Sequence, residues 1–235
     1  MDSAVRWRVN TVPYTRSNTA LAIADSAREF IRSQIAPYQH IVPVPIEQIA
    51  VDWGVVVFSP LWEVDYLGLS AWKQGRHYVA INGQKPYVSQ RFTLAHETVG
   101  HGLLHRDKLT SATWDNWVAN ASRWALEIEA NTAAAEFLLP FEWLRDQMTS
   151  RFGERPLARE AFVQWIQSRD AQELANQAQV SRAVIGHHIC DLQWAEPGSR
   201  ERWLGAGTPK ARPRSLERPP YVNRDWSYAP NLGPL

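Results

Sequence analysis

Apolar positions recur at helical spacing from Thr19 to Ile35, with Leu21, Ile23, Ala24, Ala27, Phe30 and Ile31 on one side and Pro37 ending the run. Pro43 and Pro45 introduce a second short helix over Ile46–Asp52, which Gly54 closes. The pattern then changes period. Val55-Val56-Val57-Phe58 is β-branched and apolar, as in a buried strand. Gly68–Trp72 and Tyr78–Asn82 read as two more strands, and Gln74-Gly75 between them predicts a hairpin. From Val88 onward the period is helical again. A strong helix is expected over Trp124–Leu139, stopped by Pro140, and a last helical block over Leu157–Gln193. Two helices, a small sheet and then only helices indicate an α+β fold.

Composition narrows the picture only slightly. Hydrophobic residues are 45% and charged residues 21% of the 235, as in an ordinary globular chain. The net charge of +1 favours neither nucleic acid nor an acidic partner. Cys190 is the single cysteine, which excludes an internal disulfide framework and fits a reducing, cytoplasmic compartment. Residues 1–10 contain Asp2, Arg6 and Arg8 and resemble no secretory signal, and no apolar run reaches the ~18 residues of a membrane span. The twelve tryptophans are read as packing residues. Between Pro197 and Pro220 there are five prolines, six basic residues and two acidic ones, which predicts an extended tail. The expected organisation is a first domain over residues 19–145, a helical subdomain over 155–195 and a Pro/Arg-rich tail over 196–235.

The chemistry concentrates in the stretch RFTLAHETVGHGLLH, residues 91–105. Zinc hydrolases of the His-Glu-x-x-His type place two imidazoles on one helix face, with the intervening glutamate aimed at the water to be activated. His96 and Glu97 fit that arrangement, but the second histidine, His101, comes five residues after the first. In a regular α-helix five residues turn through about 500°, leaving the two rings ~140° apart. A π-bulge absorbs the extra residue and realigns them. Gly100, through its flexibility, and Thr98, through a hydroxyl able to bond back to the helix, are expected to ease that distortion. The competing pair, His101 and His105, has regular spacing but carries Gly102 where the glutamate belongs.

A third ligand is expected from the next helix. Glu127 and Asn131 share a face, so Glu127 can ligate while Asn131 bonds the outer nitrogen of a ligand imidazole. Glu129 lies roughly 200° around the helix from Glu127 and is the alternative carboxylate. Zinc is the expected ion, with manganese also able to occupy such a site. For the oxyanion, Tyr66 and the pair His187 and His188 are candidates.

Residues 91–105 together with EIEANTAAAEFLLP, residues 127–140, resemble the ImmA/IrrE family of metallo-endopeptidases, whose forms are similar to RFTLAHELGHLLLH and ExEANxFAAELLMP. The resemblance covers about residues 20–193 and is specific in those two segments. It implies a small antiparallel sheet packed on zincin-like active-site helices. It also implies His96 and His101 as ligand histidines, Glu97 as general base and Glu127 as third ligand. The departure is one inserted residue, at Thr98 or Val99. The implied substrate is a helix-turn-helix repressor or antitoxin, within DNA-damage, stress or toxin–antitoxin circuits.

Residues Glu173–Ile185 resemble the helix-turn-helix-like segment that follows the peptidase core in that family. Arg182 is the lone basic side chain nearby, so packing or substrate docking is favoured and direct nucleic-acid binding is disfavoured. Cys190 reads as a core thiol. Three functions follow: an active endopeptidase; a metal-binding regulatory protein that keeps the partner without catalysis; and a DNA-binding regulator using the last helices and the basic tail.

Overall fold

The computed structural model describes residues 18–34, 36–38, 40–61, 67–106 and 123–206. Helix α1 spans Asn18–Gln34 and α2 spans Ile46–Asp52. Strands β1 (Val56–Phe58), β2 (Gly68–Lys73) and β3 (Arg76–Ile81) follow, and α3 covers Tyr87–Ala95. The chain continues without a break into a π-helical segment, His96–Leu104. Among the described residues the rest is helical: α4 (Arg123–Leu138), α5 (Phe141–Phe152), α6 (Arg159–Ile166), α7 (Arg169–Ala178), α8 (Arg182–Asp191) and α9 (Ser199–Gly205). The architecture is α+β, as the change of period along the chain predicts. No helix among the described residues is long and apolar enough to cross a membrane.

The hairpin forms where expected. Gln74 and Gly75 both take positive φ, 51° and 75°, which matches a two-residue turn to the right-handed twist of the strands. β2 and β3 pair antiparallel from Gly68↔Ile81 to Lys73↔Arg76. β1 joins the other side of β3 in parallel, so the sheet order is β1-β3-β2 and the sheet is mixed. The parallel pairing is possible because β1 reaches β3 only after the β2 excursion. β3 alternates strictly, with His77, Val79 and Ile81 buried, and this inward row faces the helices.

Upstream of the site, a buried ion pair fixes α2 to α3. Arg91 donates to Glu47 at 2.7 Å and to the Val44 carbonyl at 2.6 Å. The Tyr87 hydroxyl donates to the other Glu47 oxygen at 2.9 Å. Burial, then the Glu47 charge, pushes the Tyr87 pKa up to about 12, so it stays a donor. The first residue of the 91–105 motif thus anchors the helix that delivers the histidines.

One buried apolar cluster runs from Ile31 on α1 through Ile49, Val79, Leu94 and Phe137 to Leu174, Ile189 and Trp203. Helix α9 falls within the region expected to be an extended tail, and residues 199–205 depart from that expectation. The physical reason is Trp203, 2% exposed and set edge-on to Phe162. A Cβ on Gly186 would come within 2.8 Å of the Trp203 ring, so the glycine makes the notch that receives it. Arg200 reinforces the contact by donating to the His187 carbonyl at 2.9 Å and to Asp191. The net composition of the tail concealed this one amphipathic turn. Of the tryptophans described, Trp165 and Trp203 are buried and Trp53 packs edge-on to Phe137 at 6.1 Å, all as packing residues.

Candidate metal centre

The π segment resolves the spacing problem. Its closing bond runs from the His105 N–H to the Gly100 carbonyl at 3.2 Å, five residues back. Pairing at that interval brings residues five apart onto one face. The Nε2 atoms of His96 and His101 accordingly lie 3.1 Å from each other. Glu127, on α4, completes the group: its Oε2 is 3.3 Å from His96 Nε2 and its Oε1 is 3.7 Å from His101 Nε2. Among the described residues, His96, His101 and Glu127 form a group whose potential ligand atoms all lie within 4.8 Å of one another.

The donor set fits a tetrahedral ion. Zinc–nitrogen bonds of 2.0–2.1 Å separate neighbouring ligand atoms by about 3.3 Å. The separations of 3.1, 3.3 and 3.7 Å bracket that value. His101 is 3% exposed at its side chain while Glu127 is 37% exposed, so the group opens to solvent on the Glu127 side. Asn131, one turn beyond Glu127, places its Oδ1 3.0 Å from His96 Nδ1. That contact holds a proton on Nδ1 and turns the Nε2 lone pair toward the shared point. The pairing of Glu127 and Asn131 on one face is as the spacing predicts.

Charges in the group support each other. Burial opposes the charged form of His96, but its hydrogen bond to Glu127 and the charges of Glu97 and Glu127 outweigh it and raise the His96 pKa. Burial likewise opposes the Glu127 charge, yet hydrogen bonds from His101 and His96 hold its carboxyl well below the usual carboxylate range. A site that concentrates negative charge and imidazole lone pairs in this way is suited to a divalent cation.

Two small residues set the geometry, and neither acts through flexibility. A Cβ on Gly100 would lie 2.6 Å from both Cα and Cβ of Ala130 and 3.0 Å from its carbonyl oxygen. The π segment therefore crosses α4 backbone to backbone, between Glu129 and Asn131. A Cβ on Gly102 would strike the His77 ring at 2.2 Å. The Thr98 hydroxyl, expected to bond back to the helix, is buried and makes no hydrogen bond among the described residues. Close packing, rather than local looseness, holds the bulge.

Glu97 is buried and lies beneath the start of β2. A Cβ on Gly68 would approach its Oε1 at 3.5 Å and collide with Thr93 Cγ2 at 2.3 Å. Gly68 thus clears the space beside the candidate base. His105 and Glu129, the alternative ligands, turn toward each other: His105 Nε2 is 2.8 Å from Glu129 Oε2, and His105 Nδ1 is 3.1 Å from His101 Nδ1. Of the oxyanion candidates, Tyr66 lies outside the described residues. His188 is buried against Glu136 on α4, nine residues past Glu127, about 13 Å along the helix. His187 packs on Trp203.

Sequence reasoning missed His77. Its ring stacks on Trp72 with centroids 4.8 Å apart and forms the wall against Gly102. Burial, then the neighbouring His101, lowers its pKa to about 4, so it is a neutral packing ring. The inward alternation of β3 is the signal that places it there.

The chain is 34% identical over 102 residues to the radiation response metalloprotease IrrE of Deinococcus deserti. The match spans 43% of this chain and 34% of that relative, so the chain covers about a third of the relative's length. A Mycobacterium tuberculosis transcriptional regulator aligns in structure with a TM-score of 0.43 and 17% identity, over 76% of this chain and 49% of that one. The profile of the metallopeptidase family Peptidase M78, described as the IrrE N-terminal-like domain, matches residues 52–189, and the chain belongs to that family.

Proposed function

We propose that the protein is a zinc-dependent endopeptidase that cleaves a protein substrate, with His96, His101 and Glu127 as metal ligands and Glu97 as general base. The observation that carries this reading is the convergence of the His96 Nε2, His101 Nε2 and Glu127 oxygens to near-tetrahedral separations in spite of the extra residue in the motif. Bound zinc supplies Lewis acidity that polarises a peptide carbonyl and acidifies water. Glu97, next in sequence to His96 and close enough to act on its charge, takes the proton of the attacking water and passes it to the departing amine. Asn131 keeps the His96 ring in its ligating tautomer.

The family resemblance suggests a helix-turn-helix repressor or antitoxin as substrate, and the name of the Deinococcus relative suggests a stress setting. Helices α6 to α8 support a docking role over DNA reading. Arg182, the basic residue a groove would need, donates instead to the Gln167 carbonyl at 3.0 Å. Burial pushes the Cys190 thiol up to about 12, which supports a packing role for it.

The test compares wild type with Glu97→Gln for zinc content by mass spectrometry and for cleavage of a panel of purified helix-turn-helix repressors. The reading expects about one zinc in both proteins and cleavage by wild type alone, slowed in the variant by at least about 100-fold. Zinc in both with no cleavage by either supports the regulatory alternative, a protein that binds metal and partner without catalysis. Parallel assays with manganese decide the working metal.

A further inference from the structure

We propose that Glu129 and His105 form a hydrogen-bonded relay that sets the tautomer of His101 and so its strength as a ligand. The proposal rests on the metal reading above and adds two positioning residues to it.

The argument follows the protons. His101 directs Nε2 to the point shared with His96 Nε2 and Glu127. A neutral imidazole with its lone pair there carries its proton on Nδ1. That Nδ1 lies 3.1 Å from His105 Nδ1, so His101 donates and His105 accepts. His105, accepting at Nδ1, must carry its own proton on Nε2, which lies 2.8 Å from Glu129 Oε2. The relay ends on a carboxylate, the one member that only accepts.

For a neutral His105, the reverse polarity is opposed by that end. It would turn the His105 Nε2 lone pair onto a carboxylate oxygen at 2.8 Å and aim a proton from His101 Nε2 into the ligand cluster. Glu129 therefore selects the direction of every bond in the row. His105 is fully buried, so exchange with solvent does not relax the choice. The two ligand histidines are thus supported unequally: His96 by the amide of Asn131, His101 by a relay that ends in a charge. The heavier support falls on the ring that the extra residue displaces. His105 acts there twice, since its backbone N–H also closes the π register on Gly100.

The full-length chain supplies the test in two measurements. Long-range proton–nitrogen NMR of the zinc-loaded protein at neutral pH should find His101 protonated at Nδ1 and His105 at Nε2. Zinc affinity by chelator competition, with cobalt absorption spectra as a reading of ligand geometry, should then be compared across wild type, Glu129→Gln, Glu129→Ala and Glu127→Ala. Circular dichroism confirms the fold of each variant before its affinity is read. Glu129→Ala should weaken zinc by about 10- to 100-fold and alter the cobalt spectrum. Glu129→Gln, whose amide oxygen accepts the same bond, should recover most of the loss. The proposal is overturned if His105 carries its proton on Nδ1, or if Glu129→Ala binds zinc as wild type does. It is also overturned if Glu129→Ala abolishes binding as fully as Glu127→Ala, because Glu129 would then be a ligand. A wild type that takes up no zinc removes the metal reading and the relay with it, whereas zinc uptake with the other tautomers overturns the relay alone.

Discussion

Helix α4 carries three carboxylates that each meet a histidine, and the outer two, Glu127 and Glu136, lie nine positions apart. At Glu127 the neighbouring ring nitrogens converge on one point, the outer nitrogen of each ligand ring faces a polar partner, and the carboxylate is 37% exposed. At Glu136 the carboxylate is wholly buried. It accepts from Arg32 at 2.6 Å, and its second oxygen stands 3.4 Å from His188 Nε2 without a hydrogen bond. Neither His188 ring nitrogen has a hydrogen-bond partner among the described residues. Histidine beside glutamate is therefore common to both ends, and it does not by itself make a metal centre. Convergent lone pairs with a route to solvent do. The Glu136 end instead ties α1 to α4 and α8 as a structural seam.

The largest expected effect separates the two ends. Glu127→Ala removes a ligand and should cost at least about 100-fold in zinc affinity, while the urea midpoint of the metal-free protein stays near wild type. Glu136→Ala should do the reverse. It removes the buried acceptor of the Arg32 guanidinium, itself 38% exposed, for a loss of about 1–2 kcal/mol of stability. Where that variant is folded, its zinc affinity should match wild type. Chelator competition paired with urea unfolding reads both quantities, and equal effects on both from either variant would erase the contrast.

Gly100→Ala comes next and tests why the first end converges at all. The added methyl meets Ala130 at 2.6 Å, and both contacts are backbone or Cβ, which cannot swing aside. The π segment and α4 must separate by several tenths of an ångström. A cost of about 1–3 kcal/mol is expected, with a zinc affinity lower by at least tenfold, because Glu127 sits on the helix that moves. A double variant that also replaces Ala130 with Gly should recover part of both. Full activity in Gly100→Ala would show that the close crossing does not set the ligand geometry.

The elements were largely legible because period and punctuation agree. Proline at positions 37, 45 and 140 and the Gln74-Gly75 turn mark the helix and strand ends to within a residue or two. The convergence of His96, His101 and Glu127 was legible through spacing, together with the need for a π distortion. Helix α5, over Phe141–Phe152, and the inward place of His77 were not predicted, and three further features were not legible. The parallel partner of β3 depends on which strand edge is left open, which local sequence does not encode. Gly100 was read as a flexible residue, whereas its task is set by Ala130, thirty residues away. Helix α9 was hidden because proline and arginine counts over residues 197–220 averaged out the single turn that buries Trp203. Each of these last three concerns a contact between segments distant in sequence.

His188 gives the smallest effect and the sharpest sign. Burial lowers its pKa from the ordinary value of 6.5, against the pull of the neighbouring carboxylates. The facing groups are Glu136 and Asp191, which favour its charged form, and Arg28 and Arg32, which oppose it. In the unfolded chain the ring takes up a proton below about pH 6.5, and in the folded chain it does so only at lower pH. The unfolded state then binds more protons, so acidification below pH 6.5 destabilises the fold by up to about 1.4 kcal/mol per pH unit until the folded pKa is reached. His188→Phe removes the titrating group from a position where neither ring nitrogen is bonded, so it should match wild type within about 1 kcal/mol at pH 7.5. Urea unfolding of the metal-free protein at pH 7.5, 6.5 and 5.5 should show the variant losing less stability than wild type across the last interval. Parallel losses would mean that Glu136 already holds His188 charged, and the two ends of α4 would then differ in position rather than in kind.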